Sequence, residues 1–175
     1  MIRPGEIAPD FELPSAFNNQ VGRIRLSRVD AEVIVLFFYP HDFSFVCPTE
    51  VLGFHQELDA FGAQRCKLLG VSVDDVETHL RWARELGGVG YPLLADVGGA
   101  VARDYGCFDE QEGAALRATF ILDANRSVLY TVASPVNVGR SVSETLRVVC
   151  ALRTGRLCPA DWNPGEAPGP AGSKF

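Results

Sequence analysis

The stretch FFYPHDFSFVCPTE, Phe37 to Glu50, places Cys47 directly after an aromatic run and directly before Pro48. A cysteine in such a place has two uses. It is a small buried hydrophobe, the commoner use of a free cysteine, or it is a thiol held ready for nucleophilic or redox chemistry. Four further cysteines, Cys66, Cys107, Cys150 and Cys158, are spread along the chain with no C-x-x-C pair among them. Glu50 stands where a dithiol motif would carry its second cysteine, which disfavours a thioredoxin-type dithiol exchanger. The histidines His41, His55 and His79 are dispersed, so the spacing gives little support to a zinc site.

The elements that must position Cys47 can be read on either side of it. VIVLFFYP, residues 33–40, is short, β-branched and aromatic and stops at proline, as a fully buried strand does. TEVLGFHQELDAF has apolar residues at Val51, Leu52, Phe54, Leu58 and Phe61, many three or four apart, and reads as one amphipathic helix. Cys47 therefore falls where a strand hands over to a helix. Unpaired N–H groups and the positive end of the helix dipole face it there, and Pro48 suits the first turn. A thiolate is favoured over a thiol at such a place.

The rest of the chain continues the alternation. KLLGVSVD reads as a second buried strand and DVETHLRWARELGG as a second helix with a glycine-rich end. YPLLAD is a short strand, and GAVARDYG a short helix. ATFILDANRSVLYTVAS is a hairpin turning at residues 124–127. SVSETLRVVCALRTG opens with Ser141 and Glu144 at capping-box spacing and runs as a helix. The order β-α-β-α-β-α-β-β-α, after an N-terminal extension, predicts an α/β fold with a central mixed sheet flanked by helices. A βαβ half followed by a ββα half is similar to the thioredoxin fold. The expected division is a thioredoxin-like domain over residues 1–155 and a C-terminal arm over 156–175, whose NPGEAPGPAGSKF is expected to be extended or mobile.

Composition excludes some roles. At 175 residues, 47% hydrophobic and 22% charged, the chain has enough material for one globular core. Its formal net charge is -6, and its basic residues are scattered arginines for the most part, so no nucleic-acid-binding patch is expected. The longest apolar run is too short to cross a bilayer. MIRPGEIAPDF has no apolar core of a signal peptide. A cytoplasmic protein without metal or cofactor is expected.

Pro40, Ser44 and Cys47 fit P-x-x-x-[ST]-x-x-C, and the whole run resembles the FYPxDFTFVCPTE of the peroxiredoxins, thiol peroxidases of the thioredoxin fold. The resemblance extends through APDFELPS, LLGVSVDDVETHLRWARE, YPLLADVGGAVARDYG, LRATFILDANRSVLYTV and VGRSVSETLRVV. CPADWNPG resembles the C-terminal motif of the typical 2-Cys subgroup, which includes the alkyl hydroperoxide reductase C component.

The resemblance implies roles. Cys47 would be the peroxidatic nucleophile, oxidised by hydrogen peroxide or an organic hydroperoxide to a sulfenic acid. Ser44, where threonine is commoner, would offer its hydroxyl to the peroxide; alone it reads as a turn residue. Pro40 would shield the site from water. Arg117 would face the thiolate with a forked, permanently charged donor set. Arg140 would support the site, although by itself it reads as a surface charge. Glu50 would link the two arginines. Cys158 would be the resolving cysteine, attacking Cys47 of a partner subunit from an exposed, flexible arm, with Cys150 a distant second candidate. Cys66 and Cys107 read as structural.

The implied partners are a second copy in a homodimer, or a ring of dimers (a decamer), and a disulfide reductant, either thioredoxin or a flavoprotein. Two other readings stay open: a one-cysteine peroxidase reduced by an external thiol, and a redox-sensing or chaperone-like oligomer. GGVG, residues 87–90, resembles a loop tied to over-oxidation in some relatives. The tail lacks the Tyr-Phe pair that accompanies it, so resistance to over-oxidation is expected.

Overall fold

The computed structural model describes residues 1–172; Ser173 to Phe175, the end of the expected arm, lie outside the described residues. The elements are, in order, β1 (Glu12–Phe17), β2 (Gln20–Arg25), β3 (Val33–Phe38), α1 (Cys47–Gln56), α2 (Leu58–Ala63), β4 (Cys66–Ser72), α3 (Val76–Glu85), β5 (Leu93–Ala95), α4 (Ala100–Asp104), β6 (Phe108–Asp109), β7 (Ala114–Ala115), β8 (Arg117–Asp123), β9 (Val128–Ser134) and α5 (Val142–Thr154). The expected α/β alternation is present, with additions at the start and before β8.

Seven strands form one mixed sheet in the order β2-β1-β5-β4-β3-β8-β9. β3, β4 and β5 run parallel, while β1 and β8 pair antiparallel to β5 and β3. The N-terminal extension contributes β1 and β2, which the sequence reading left outside the strand order. Their turn is Asn18-Asn19, both at positive φ, the backbone that a tight hairpin requires. β2 is a polar edge strand whose Arg23 and Arg25 blunt it against further pairing.

β3 is buried on both faces and divides the core. Ile34, Leu36 and Phe38 join Phe120, Leu122 and Tyr105 in one cluster. Val33, Val35, Phe37 and Tyr39 join Val51, Phe54, Phe61, Trp82 and Cys47 in the other. This alternation is the strand period of two. Phe37 stacks on Phe54 at 4.3 Å and meets Tyr91 edge-on at 5.7 Å. Gly70 on β4 makes room for it: a Cβ there would lie 2.9 Å from the Phe37 ring and 3.0 Å from Leu93.

Two local expectations change. The helix read across Thr49 to Phe61 is two helices, broken at Glu57 (φ -94, ψ 10). The break keeps Phe54 and Phe61 on the same core, their rings 5.9 Å apart. As far as Gly172 the tail folds back rather than extending. Gly155 caps α5 in the left-handed conformation (φ 62), which reverses the chain as such caps do. The returning segment pairs Arg156 with Ala171, and Trp162 is 4% exposed. Ser141 caps α5 as expected, accepting from Glu144 N at 3.1 Å, but the Glu144 carboxylate pairs with Arg147 instead of reaching back.

Candidate active site

Cys47 is the first residue of α1 and is fully buried. Its backbone N–H donates to Ser44 Oγ at 3.2 Å. Ser44 therefore does what a turn residue does, and among the described residues its hydroxyl accepts this bond and donates none. Pro40 is buried at the end of β3. Thr49 Oγ1 donates to the Val46 carbonyl at 2.6 Å and tightens the turn before the helix.

Arg117 opens β8 on the strand face it shares with Thr119 and Ile121, the face that meets α1. It is 3% exposed. Its Nη1 donates to Cys47 Sγ at 3.2 Å and to Glu50 Oε2 at 2.6 Å, and its Nε to the Val136 carbonyl at 2.8 Å. Three separate acceptors thus fix the guanidinium plane against the sulfur.

Glu50, one turn into α1, has a side chain 1% exposed. Its Oε1 accepts from the Arg140 backbone N–H at 2.8 Å and from Arg140 Nε at 3.0 Å. Arg140 is no surface charge: its side chain is 4% exposed. Its Nη1 reaches the Ala118 carbonyl and Thr119 Oγ1, and its Nη2 the Phe38 carbonyl. It also lies over the Phe37 ring, 5.4 Å from the centroid. Burial pulls the Arg140 guanidinium below its usual range, with Glu50 opposing. Gly139 lets this loop close down, since a Cβ there would sit 3.2 Å from Val46 and 3.8 Å from Glu50.

Two buried guanidiniums share one carboxylate. The cluster carries one net positive charge, and the atom it presents to Arg117 is a sulfur. The N-terminus of α1 adds its own positive end at the same place, so the surroundings of the sulfur favour negative charge.

A second buried network went unread in the sequence. Asp42, in the loop between β3 and α1, accepts from Tyr39 OH at 2.9 Å, and its backbone N–H donates to Asp74 Oδ2 at 2.8 Å. His79 Nδ1 lies 2.8 Å from Asp42 Oδ2, and its Nε2 lies 3.1 Å from the Leu94 carbonyl. Both side chains of this pair are 0% exposed. The carbonyl requires a proton on Nε2, so one further proton is held between Nδ1 and Asp42. Burial pushes the Asp42 carboxyl up from its usual range despite His79 beside it. This network ties the loop to α3. Phe43, at positive φ (54), rests 6.2 Å from Trp82 with Arg81 over its outer side. The signal in the sequence was a histidine and a tryptophan three apart in HLRW; they share the buried face of α3 with Leu80.

The remaining cysteines separate by environment. Burial pushes the Cys66 and Cys107 thiols up to about 12. An unfolded thiol ionises near ~8.5, so above that value the folded chain holds protons the unfolded chain has lost. Their stabilisation is full below ~8.5 and is lost as pH rises toward 12. Between pH 8 and 9.5 the pair removes roughly 2–3 kcal/mol of stability. The urea midpoint should fall over that interval and flatten in a Cys66→Ala, Cys107→Ala variant; an equal fall in both proteins would assign it elsewhere.

Cys158 is not at the site. α5 starts beside Arg140, and Cys158 packs at the far end of it, roughly 18 Å along the axis for a 13-residue helix. Its Sγ lies 3.6 Å from Thr154 Oγ1 and 3.9 Å from the Ala151 carbonyl. The structure thus brings together Ser44, Cys47, Glu50, Arg117 and Arg140, leaves Pro40 buried just beyond β3, and sets Cys158 apart, half-buried on its own helix. Among the described residues there is no cluster of metal-ligating side chains, and no helix is long and apolar enough to cross a membrane.

Known proteins share this arrangement of chain. Residues 4–131 match the AhpC/TSA family. Peroxiredoxin-2 of Mus musculus is 42% identical over 172 residues, covering 93% of this chain and 87% of that protein. The chloroplastic 2-Cys peroxiredoxin BAS1 of Hordeum vulgare is 39% identical over 184 residues, covering 97% and 88%. The crystal structure of reduced Plasmodium vivax 2-Cys peroxiredoxin superposes with a TM-score of 0.88 at 34% identity, covering 94% of this chain and 91% of that one. The chain therefore belongs to the AhpC/TSA family and is a peroxiredoxin, a thiol-dependent peroxidase with a thioredoxin-like fold.

Proposed function

We propose that Cys47 is the peroxidatic cysteine and that hydrogen peroxide and organic hydroperoxides are its substrates. The observation that carries this reading is the 3.2 Å approach of Arg117 Nη1 to Cys47 Sγ inside a buried cluster of net positive charge. The Cys47 thiolate attacks one peroxide oxygen. A sulfur–oxygen bond forms, the oxygen–oxygen bond breaks, and the departing oxygen takes a proton to leave as water or an alcohol. Arg117 faces both the sulfur and the developing negative charge, and the Ser44 hydroxyl donates to the peroxide. Pro40 keeps bulk water from the thiolate. Glu50 and Arg140 orient Arg117.

The sulfenic acid is resolved by Cys158, which releases water as the disulfide forms. Cys158 sits at the far end of its own α5, which favours attack on Cys47 of a second subunit over attack within one chain. A homodimer, or a ring of dimers, is the matching assembly, and thioredoxin or a flavoprotein is the matching reductant. Five free cysteines suit a reducing compartment such as the cytoplasm. Resolution that outruns a second oxidation leaves no sulfinic acid, so stoichiometric peroxide should yield none at Cys47 by intact mass.

The Cys158→Ser variant tests the resolving role. It should reduce one equivalent of peroxide as fast as the parent in a stopped-flow trace, yet turn over poorly with thioredoxin and form no disulfide-linked dimer. Unchanged turnover would instead establish the one-cysteine peroxidase. A peroxide rate equal to that of an ordinary free thiol would favour the sensor or scaffold reading.

A further inference from the structure

The tail runs back along α5 in a definite register. Gly155 N–H donates to the Leu152 carbonyl, and the left-handed cap turns the chain about. Cys158 Sγ then lies against Ala151 and Thr154. Four residues later, the Trp162 carbonyl accepts from Arg147 Nη1 at 2.9 Å, and Trp162 is buried. Positions 158 and 162 of the tail thus bracket α5 from Thr154 back to Arg147. Cys150 lies inside that bracket, partly exposed. It is one turn before Thr154 on the same face, a spacing that sets Cβ atoms ~5–6 Å apart. Thr154 Oγ1 is in turn 3.6 Å from Cys158 Sγ.

We propose that Cys150 is a second thiol partner of Cys158, and that the Cys47–Cys158 disulfide passes to Cys150–Cys158 within one chain. This rests on the assignment of Cys158 as the resolving cysteine. The Cys150 thiolate, having given its proton to solvent, attacks Cys158 Sγ. The Cys150–Cys158 bond forms as the Cys47–Cys158 bond breaks. Cys47 departs as a thiolate into the cluster that Arg117, Glu50 and Arg140 provide, where that charge is balanced. No oxidant is consumed beyond the peroxide already reduced. Burial raises the Cys150 thiol above its usual value, so attack by Cys150 is the slower, second event after resolution. The exchange returns Cys47 to its reactive form before any reductant arrives and parks the disulfide at the far end of α5.

The test needs no reductant. Reduced full-length protein and its Cys150→Ser variant are titrated with hydrogen peroxide, sampled over minutes to hours, alkylated and digested with trypsin. Arg153 and Arg156 separate Cys150 and Cys158 onto different peptides. The parent should show the Cys47–Cys158 pair first and a Cys150–Cys158 pair replacing it. It should also consume twice the peroxide of the variant, the second equivalent leaving a trappable sulfenic acid on Cys47. The variant should stop at Cys47–Cys158. If that pair forms in both proteins and persists while Cys150 remains fully alkylated, the transfer is overturned and the resolving role stands. If no Cys47–Cys158 pair forms in either, the resolving assignment fails, and the transfer with it.

Discussion

Replacing Arg117 with alanine should slow the reaction of Cys47 with peroxide by about two to three orders of magnitude, the loss expected when one preorganised donor is removed from a buried, charge-developing site. Arg117 is the guanidinium in contact with the sulfur, and Val136 and Glu50 fix its plane. Arg117→Lys restores the charge without the fork, so it should recover only a part of the rate. The measurement is the second-order rate constant with hydrogen peroxide by stopped flow. Thermal unfolding serves as the control for misfolding. A rate within a factor of about two of the parent, in a folded variant, would remove Arg117 from the proposed chemistry.

The Glu50→Gln variant should suffer chiefly in stability. It leaves two buried guanidiniums facing each other with no carboxylate between them, and removing one partner of a buried ion pair costs about 3–5 kcal/mol. For a chain of this size that is a fall in midpoint of roughly 6–20 °C. Arg140 anchors on Phe38, Ala118 and Thr119, so it has no route to solvent and the strain falls on the loop through Gly139. The peroxide rate should drop as well, since Arg117 loses one of the contacts that aim it. Calorimetry of the two proteins side by side decides the point: an unchanged midpoint would mean that water or a shifted proton takes the place of the carboxylate.

Much of this is legible in the sequence. The buried strand β3, the helix start at Cys47 and the alternation of elements follow from apolar runs and from proline, which act locally. Cys47, Pro40 and Ser44 lie within eight residues and could be read together. Arg117 and Glu50 could not be joined by spacing alone, because sheet register brings them into contact: Phe37 pairs with Thr119, and that places Arg117 beside the start of α1. Arg140 misleads in isolation, as a loop arginine next to glycine has no local signal for burial. The Asp42–His79 pair was missed for a related reason. Each residue looks like an ordinary surface polar group, and only the packing of α3 against the Pro40–Val46 loop makes them partners. The prolines and glycines of the tail predict extension from local composition, whereas Gly155 and the burial of Trp162 turn the segment back along α5 as far as Gly172.

The charge count of the site has a consequence for the oxidised protein. With Cys47 as the thiolate of the proposed mechanism, two guanidiniums, one carboxylate and that sulfur sum to zero. Once sulfur is bonded to oxygen or to another sulfur it carries no charge, and the pocket becomes a cation with no counterion. Such a centre is costly in a dry environment. It would gain by admitting water or an anion, and loosening of the turn before α1 would let one in. Peroxide reduction would thus weaken the packing that made it fast, and the energy released would favour an open Cys47 at the moment another thiol needs to reach it. Reduction of the disulfide would restore the negative sulfur and draw the pocket shut, so the redox state of one atom would act as the latch of the whole β3–α1 loop.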